Sequence, residues 1–188
     1  RVRTLGVAFS GCTLPGAHYP LFNVNQGKMG VGMGIHGEPG LYQMDALRAD
    51  DLAIMLVDKL MQDIPPMVKN SEDARVGVIL NSLGSVAQEE LFVVYRKVDQ
   101  LLRERGLIII EPVVDRVITS FDMAGISLTL FWLNEELEHF WLAAADTPAF
   151  KRGNVTWPIG KGADVIDPEP VDMLQPVTVG SLDSQKVA

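Results

Sequence analysis

The chain has 188 residues, 47% of them apolar, and a formal charge of -8 at pH 7. That is enough for one buried core in one domain, no apolar run approaches the roughly 20 residues of a membrane span, and an acidic chain without a basic run argues against nucleic acid and anionic membranes as partners. The single cysteine, Cys12, excludes an internal disulfide framework and is expected to be a small buried residue.

With no charged-then-apolar leader, the chain is expected to be soluble and cytoplasmic. Because it opens at Arg1 and enters an apolar segment almost at once, it is expected to be a fragment of something longer.

Residues 4–9 (TLGVAF) predict a short strand, ended by Ser10-Gly11 and a loop over 12–20 that carries Pro15, Gly16 and Pro20. Glycine then occupies every second position at Gly30, Gly32 and Gly34. If that segment is extended, successive side chains alternate faces. Met29, Val31, Met33 and Ile35 then point to the core, and the glycines, followed by His36, line a bare groove on the other side. Such a face lets a backbone or a small ligand approach closely, and Gly37, Pro39 and Gly40 turn the chain beyond it.

A first helix is predicted from about residue 45 to 64, with Leu52, Met55, Leu56 and Leu60 at helical spacing and Pro65-Pro66 as its stop. Residues 75–81 (RVGVILN) have the continuous apolar pattern of a strand within a sheet. Ser85 with Gln88 forms a capping-box pattern for a helix whose buried stripe is Leu91, Val94, Tyr95, Val98, Leu101 and Leu102, and Gly106 stops it. Strands follow over 107–110 and 113–120, around Pro112, and again over 126–133. Asn134 caps a short helix whose first turn carries Glu135, Glu136 and Glu138, where negative charge suits the helix dipole.

From Thr147 onward prolines and glycines punctuate an aperiodic tail. The order of elements predicts an α/β fold: a single domain, residues 1–150, with a mixed β-sheet packed by helices, plus an irregular C-terminal tail, residues 151–188, read as a linker or terminal extension.

Several motifs have competing readings. Gly32-Met33-Gly34-Ile35-His36-Gly37 matches the dinucleotide fingerprint G-x-G-x-x-G, with Asp58 near the distance of a ribose-binding acid. That fingerprint must open a helix onto the pyrophosphate, whereas Gly37, Pro39 and Gly40 interrupt one here. His36 with Glu38 falls short of the three or four ligands a metal needs, and His18 and His139 stand in unrelated contexts, read as surface or loop histidines. Thr119-Ser120-Phe121-Asp122 reads either as a polar site loop or as side chains satisfying turn amides. On residues alone, His36 is equally a structural histidine and an imidazole presented to a small molecule.

Met33-Gly34-Ile35-His36-Gly37-Glu38-Pro39-Gly40 resembles the GIHGEPG signature of the dihydroxyacetone kinase family, in the second (carboxy-terminal) domain of its substrate-binding DhaK/Dak1 unit. Three further segments resemble the family in the same order: Gly11-Cys12-Thr13-Leu14-Pro15, Asn81-Ser82-Leu83-Gly84 followed by Glu90-Leu91, and Thr119-Ser120-Phe121-Asp122-Met123-Ala124-Gly125. The resemblance covers about residues 4–150.

It implies that His36 is the catalytic residue, bonding covalently to the carbonyl carbon of a short-chain ketose as a hemiaminal, with Gly34 and Gly37 beside it in the substrate site. Dihydroxyacetone and a four-carbon sugar such as erythrulose are equally admissible. It further implies ATP and Mg2+ bound on another domain or subunit, or a phosphotransferase-system donor. The acid–base residues then lie in a preceding N-terminal domain, the active form is a homodimer, and this fragment alone is inactive as a kinase. The alternative within the resemblance is a regulatory paralogue that binds the ketose and transfers no phosphate.

Overall fold

Which side of each strand meets the helices is decided by the alternation of its apolar residues. In the computed structural model, which describes residues 1–35, 40–68 and 74–153, six strands form one mixed sheet. They are β1 (Val2–Ala8), β2 (Lys28–Val31), β3 (Tyr42–Asp45), β4 (Arg75–Ser82), β5 (Ile108–Asp115) and β6 (Gly125–Trp132), in the order β3-β2-β1-β6-β4-β5. β4 and β5 are parallel and the other neighbours antiparallel. The α/β fold with a mixed sheet is as the sequence predicts.

Helices α1 (Ala49–Gln62) and α2 (Gln88–Glu104) pack side by side on one face. Val7 of β1, Val78 and Leu80 of β4 and Leu128 and Leu130 of β6 meet Leu56 of α1 and Leu91 and Val98 of α2, all fully buried. The predicted stripe of α2 is this buried face, with Tyr95 half-buried at its margin. Gly106, at φ +79, ends the helix in the left-handed region that glycine enters without steric cost.

The cap of α2 differs from the capping-box expectation. The helix starts after Ala87, whose amide donates to Glu90 Oε2 at 2.9 Å, while Gln88 Nε2 donates instead to the Val114 carbonyl on β5. Ser85 therefore stands outside the helix, and a carboxylate in the first turn satisfies the free amide.

Three further boundaries are corrected. Residues 42–45 form β3 against β2, with Lys28 Nζ on Asp45 Oδ1 at 2.7 Å, so the first helix begins at Ala49 rather than near residue 45. The two strands expected around Pro112 are the single strand β5, in which the register with β4 steps from Gly77↔Ile110 to Ile79↔Val113. The extra residue is a bulge at Glu111, φ +38, and a bulged edge strand is where proline is tolerated. Residues 116–120, expected to be extended, leave the sheet as a loop.

α3 (Glu135–Trp141) has the predicted cap, Asn134 Oδ1 accepting from the Leu137 amide at 2.9 Å. It covers the other face of the sheet: Trp141 lies over Gly77, where a Cβ would come within 2.9 Å of the indole, and meets Phe131 edge-on at 6.1 Å. Arg75 forks onto Glu138 at 2.5 and 2.6 Å, and that bond holds the Glu138 carboxyl below its usual range.

β7 (Ala145–Asp146), just before the predicted tail, and β8 (Lys151–Arg152), at its start, pair as a short hairpin. Arg1–Asn154 is one compact unit, and residues 154–188 lie outside the described residues.

Candidate functional site

The glycine-alternating segment is a strand only as far as Val31. Gly32 takes φ +80, a conformation that L side chains rarely adopt, while its amide still donates to the Gly6 carbonyl at 2.8 Å. The alternation predicted across 29–35 is thereby broken. Met29 and Val31 face the helices in the main core, but Met33 and Ile35 pack on the opposite side, against a second small core of Ala8, Cys12, Leu83 and Met123. The groove expected over the glycines is not bare, because Met33 Cγ lies 2.9 Å from where a Cβ on Gly30 would stand.

That second core gathers the sequence motifs. Cys12, Leu83 and Met123 each come from one of the three segments singled out above, and Met33 and Ile35 come from the histidine segment itself. Cys12 is fully buried, as expected. Gly84 permits the close approach: a Cβ there would meet the Phe121 and Met123 carbonyl oxygens at 2.6 and 2.8 Å.

Above the core opens a cleft of about 570 Å³, lined by Leu14, Leu21, Ile35, Ile118, Thr119, Ser120 and Phe121. Of the predicted site residues, Gly34 is half-buried between Met33 and Ile35. His36 and Gly37 lie outside the described residues, with Ile35, the neighbour of His36 in the chain, on the cleft wall. His18 and His139 are exposed.

The loop 116–124 is held by residues that the sequence reading did not single out for this work. Asn81, 4% exposed, accepts from the amides of Val117 and Ile118 at 2.9 and 3.0 Å and donates to the Ile118 carbonyl at 2.8 Å. Its position at the end of β4, just before a glycine turn, was the available signal. Asp122 Oδ1 accepts from the Thr13 amide at 2.7 Å. Asp122 thus satisfies a backbone amide, as one of the two readings had it, although that amide is 109 positions away, whereas Ser120 Oγ donates to Cys12 Sγ.

Among the described residues no three His, Cys, Asp or Glu side chains come together, and the described cleft lining carries no cation. Among the described residues no helix lies between Gly32 and β3. Asp58 is paired with Arg105.

An α/β domain whose motif-bearing loops meet over a second core at one end of a mixed sheet is the class that fold and site define. The chain matches the Dak1 domain over residues 1–149 and belongs to that family. It is 58% identical over 156 residues to an L-erythrulose kinase of Pectobacterium atrosepticum, covering 83% of this chain and 26% of that protein.

Among solved structures, the dihydroxyacetone kinase operon co-activator Dha-DhaQ superposes with a TM-score of 0.69 at 32% identity, over 79% of this chain and 45% of that one. The dihydroxyacetone kinase of C. freundii in complex with AMP-PNP and Mg2+ superposes with a TM-score of 0.67 at 30% identity, over 87% and 30% of the two chains. The chain therefore spans about a quarter of the erythrulose kinase and less than half of either structural relative.

Proposed function

We propose that this chain is the histidine-bearing lobe of the substrate-binding unit of a ketose kinase, and that His36 holds the ketose as a covalent hemiaminal. An unprotonated ring nitrogen of His36 attacks the carbonyl carbon, the C=O π pair moves onto oxygen, and that oxygen takes up the proton released by the other ring nitrogen. A neutral imidazole with a fixed tautomer is required. The bond selects a carbonyl compound over a polyol, whose tetrahedral carbon cannot be attacked, and it fixes a terminal hydroxyl for phosphorylation. Gly34 and Gly37 leave room for the substrate beside the ring.

The observation that carries this reading is the convergence of the family segments on one small core next to Ile35, which precedes His36 in the chain. The relative named as an L-erythrulose kinase makes a four-carbon ketose the first substrate to test, with dihydroxyacetone beside it. The phosphoryl donor, ATP with Mg2+, belongs on another domain or subunit of a cytoplasmic homodimer. A regulatory, ketose-binding role is the second reading, favoured by the likeness to the operon co-activator.

The test is intact mass spectrometry of the full-length protein and its His36→Ala variant after incubation with erythrulose or dihydroxyacetone, paired with a phosphorylation assay. A His36-dependent adduct with ATP-dependent product supports the kinase. An adduct without turnover under any donor supports the regulator. No adduct, with full activity in the variant, removes His36 from the mechanism.

A further inference from the structure

Asp122 sits in a segment that invites a catalytic reading, a carboxylate between a Thr-Ser pair and a glycine. Its geometry points elsewhere. Oδ1 accepts from the Thr13 amide at 2.7 Å, one residue before Leu14, which lines the cleft from the 12–21 loop. Phe121, one residue before Asp122, lines it from the 116–124 loop and is 56% exposed.

The two loops are joined again on either side of this bond. The Phe9 and Ser10 amides donate to the Ala124 carbonyl at 2.6 and 3.2 Å, and the Ala124 amide donates to Ser10 Oγ at 3.1 Å. Ser120 Oγ donates to Cys12 Sγ at 3.5 Å in the buried core beneath. Beyond Thr13 the first loop turns on itself, the Ala17 amide donating to the Leu14 carbonyl at 2.9 Å. The Asp122 side chain thus fastens the two loops next in the chain to Leu14 and Phe121, which line the cleft, and a carboxylate accepting a backbone amide is a charge-assisted bond, stronger than a neutral one.

We propose that Asp122 is a positioning residue for ketose binding: through the Thr13 amide it holds the 12–21 loop against the 116–124 loop and so sets the width of the cleft that Ile35 lines. This rests on the function proposed above. Asp122 acts as a fixed acceptor and exchanges no proton with substrate. An asparagine supplies the same acceptor oxygen, an alanine supplies none, and neither ionises.

The discriminating experiment compares Asp122→Asn and Asp122→Ala in the full-length protein. With erythrulose as substrate, Asp122→Ala is expected to raise KM about tenfold with kcat within about twofold, whereas Asp122→Asn stays within about threefold of the parent in both. A kcat lost equally in Asn and Ala variants, with KM unchanged, would overturn the proposal and assign the carboxyl to proton transfer. Amide hydrogen exchange supplies a readout independent of activity. Asp122→Ala is expected to speed exchange at Thr13 at least tenfold while the amides of α2 keep their protection.

Unchanged exchange at Thr13 overturns the clasp whatever the kinetics show. Exchange lost across α2 as well would mean general unfolding, and the Asn variant, which keeps the acceptor, then decides. If the parent protein neither binds nor phosphorylates a ketose while Thr13 is still released in the Ala variant, the proposed function fails and the clasp stands.

Discussion

Met33 folds its side chain back across Gly30, two strand positions before the break at Gly32. A Cβ on Gly30 would stand 2.9 Å from Met33 Cγ, and one on Gly40 would meet the Met33 sulfur. Glycine at position 30 is thus explained by a thioether and not by a ligand. Gly30→Ala is expected to destabilise by about 1–2 kcal/mol, because the thioether must leave a packed site. Met33→Ala removes the obstacle, so the double variant should cost less than the sum of the two single changes. Urea unfolding of the four proteins measures this, and strict additivity would show that the two residues do not compete for space.

Asn81 is the second test. It is buried and makes hydrogen bonds from both ends of its amide to the backbone of residues 117 and 118. Asn81→Ala strands two amides and a carbonyl at the margin of the cleft and is expected to cost about 2–3 kcal/mol. Asn81→Asp keeps the acceptor and loses the donor, so it should fall between the parent and the alanine variant. Denaturant midpoints rank the three, and an aspartate variant no better than alanine would mean that the bond to the Ile118 carbonyl matters most.

Tyr95 offers a stabilising change and a pH dependence. Its hydroxyl is buried without a hydrogen-bond partner among the described residues. Burial first, then the charge of Asp99, pushes its pKa up from 10.0 to about 12. Tyr95→Phe removes an unsatisfied polar group and is expected to stabilise by about 1 kcal/mol at neutral pH.

In the parent the folded-state value lies above the unfolded one. The contribution of Tyr95 is therefore present in full below pH 10.0 and is lost as pH rises from there towards about 12. The phenylalanine variant lacks this loss. Melting temperatures at pH 8 and pH 11 decide it: the gap between the two proteins should widen in alkali, and a gap that stays constant would place the hydroxyl in contact with water.

Several elements were legible in the residues alone because their signals are local. The stripe of α2, the cap of α3 at Asn134 and the buried run of β4 each follow from spacing that a helix or strand imposes on its own sequence. So does the glycine stop at Gly106, while the segment around His36 was legible through its resemblance to a family signature. Where the reading went astray, a distant partner outweighed local preference. Gln88 reaches β5 instead of capping α2, residues 42–45 pair with β2 instead of opening a helix, and the bulge at Glu111 joins two expected strands into one.

The histidine segment divides the same way. Its composition, one imidazole among glycines, is written in the residue types. That the glycine face is filled by Met33, that Ile35 belongs to a second core, and that Asp122 reaches Thr13 were decided by tertiary structure. The left-handed turn at Gly32 reverses which face the following side chains meet, and a period-two pattern carries no sign of where such a reversal falls.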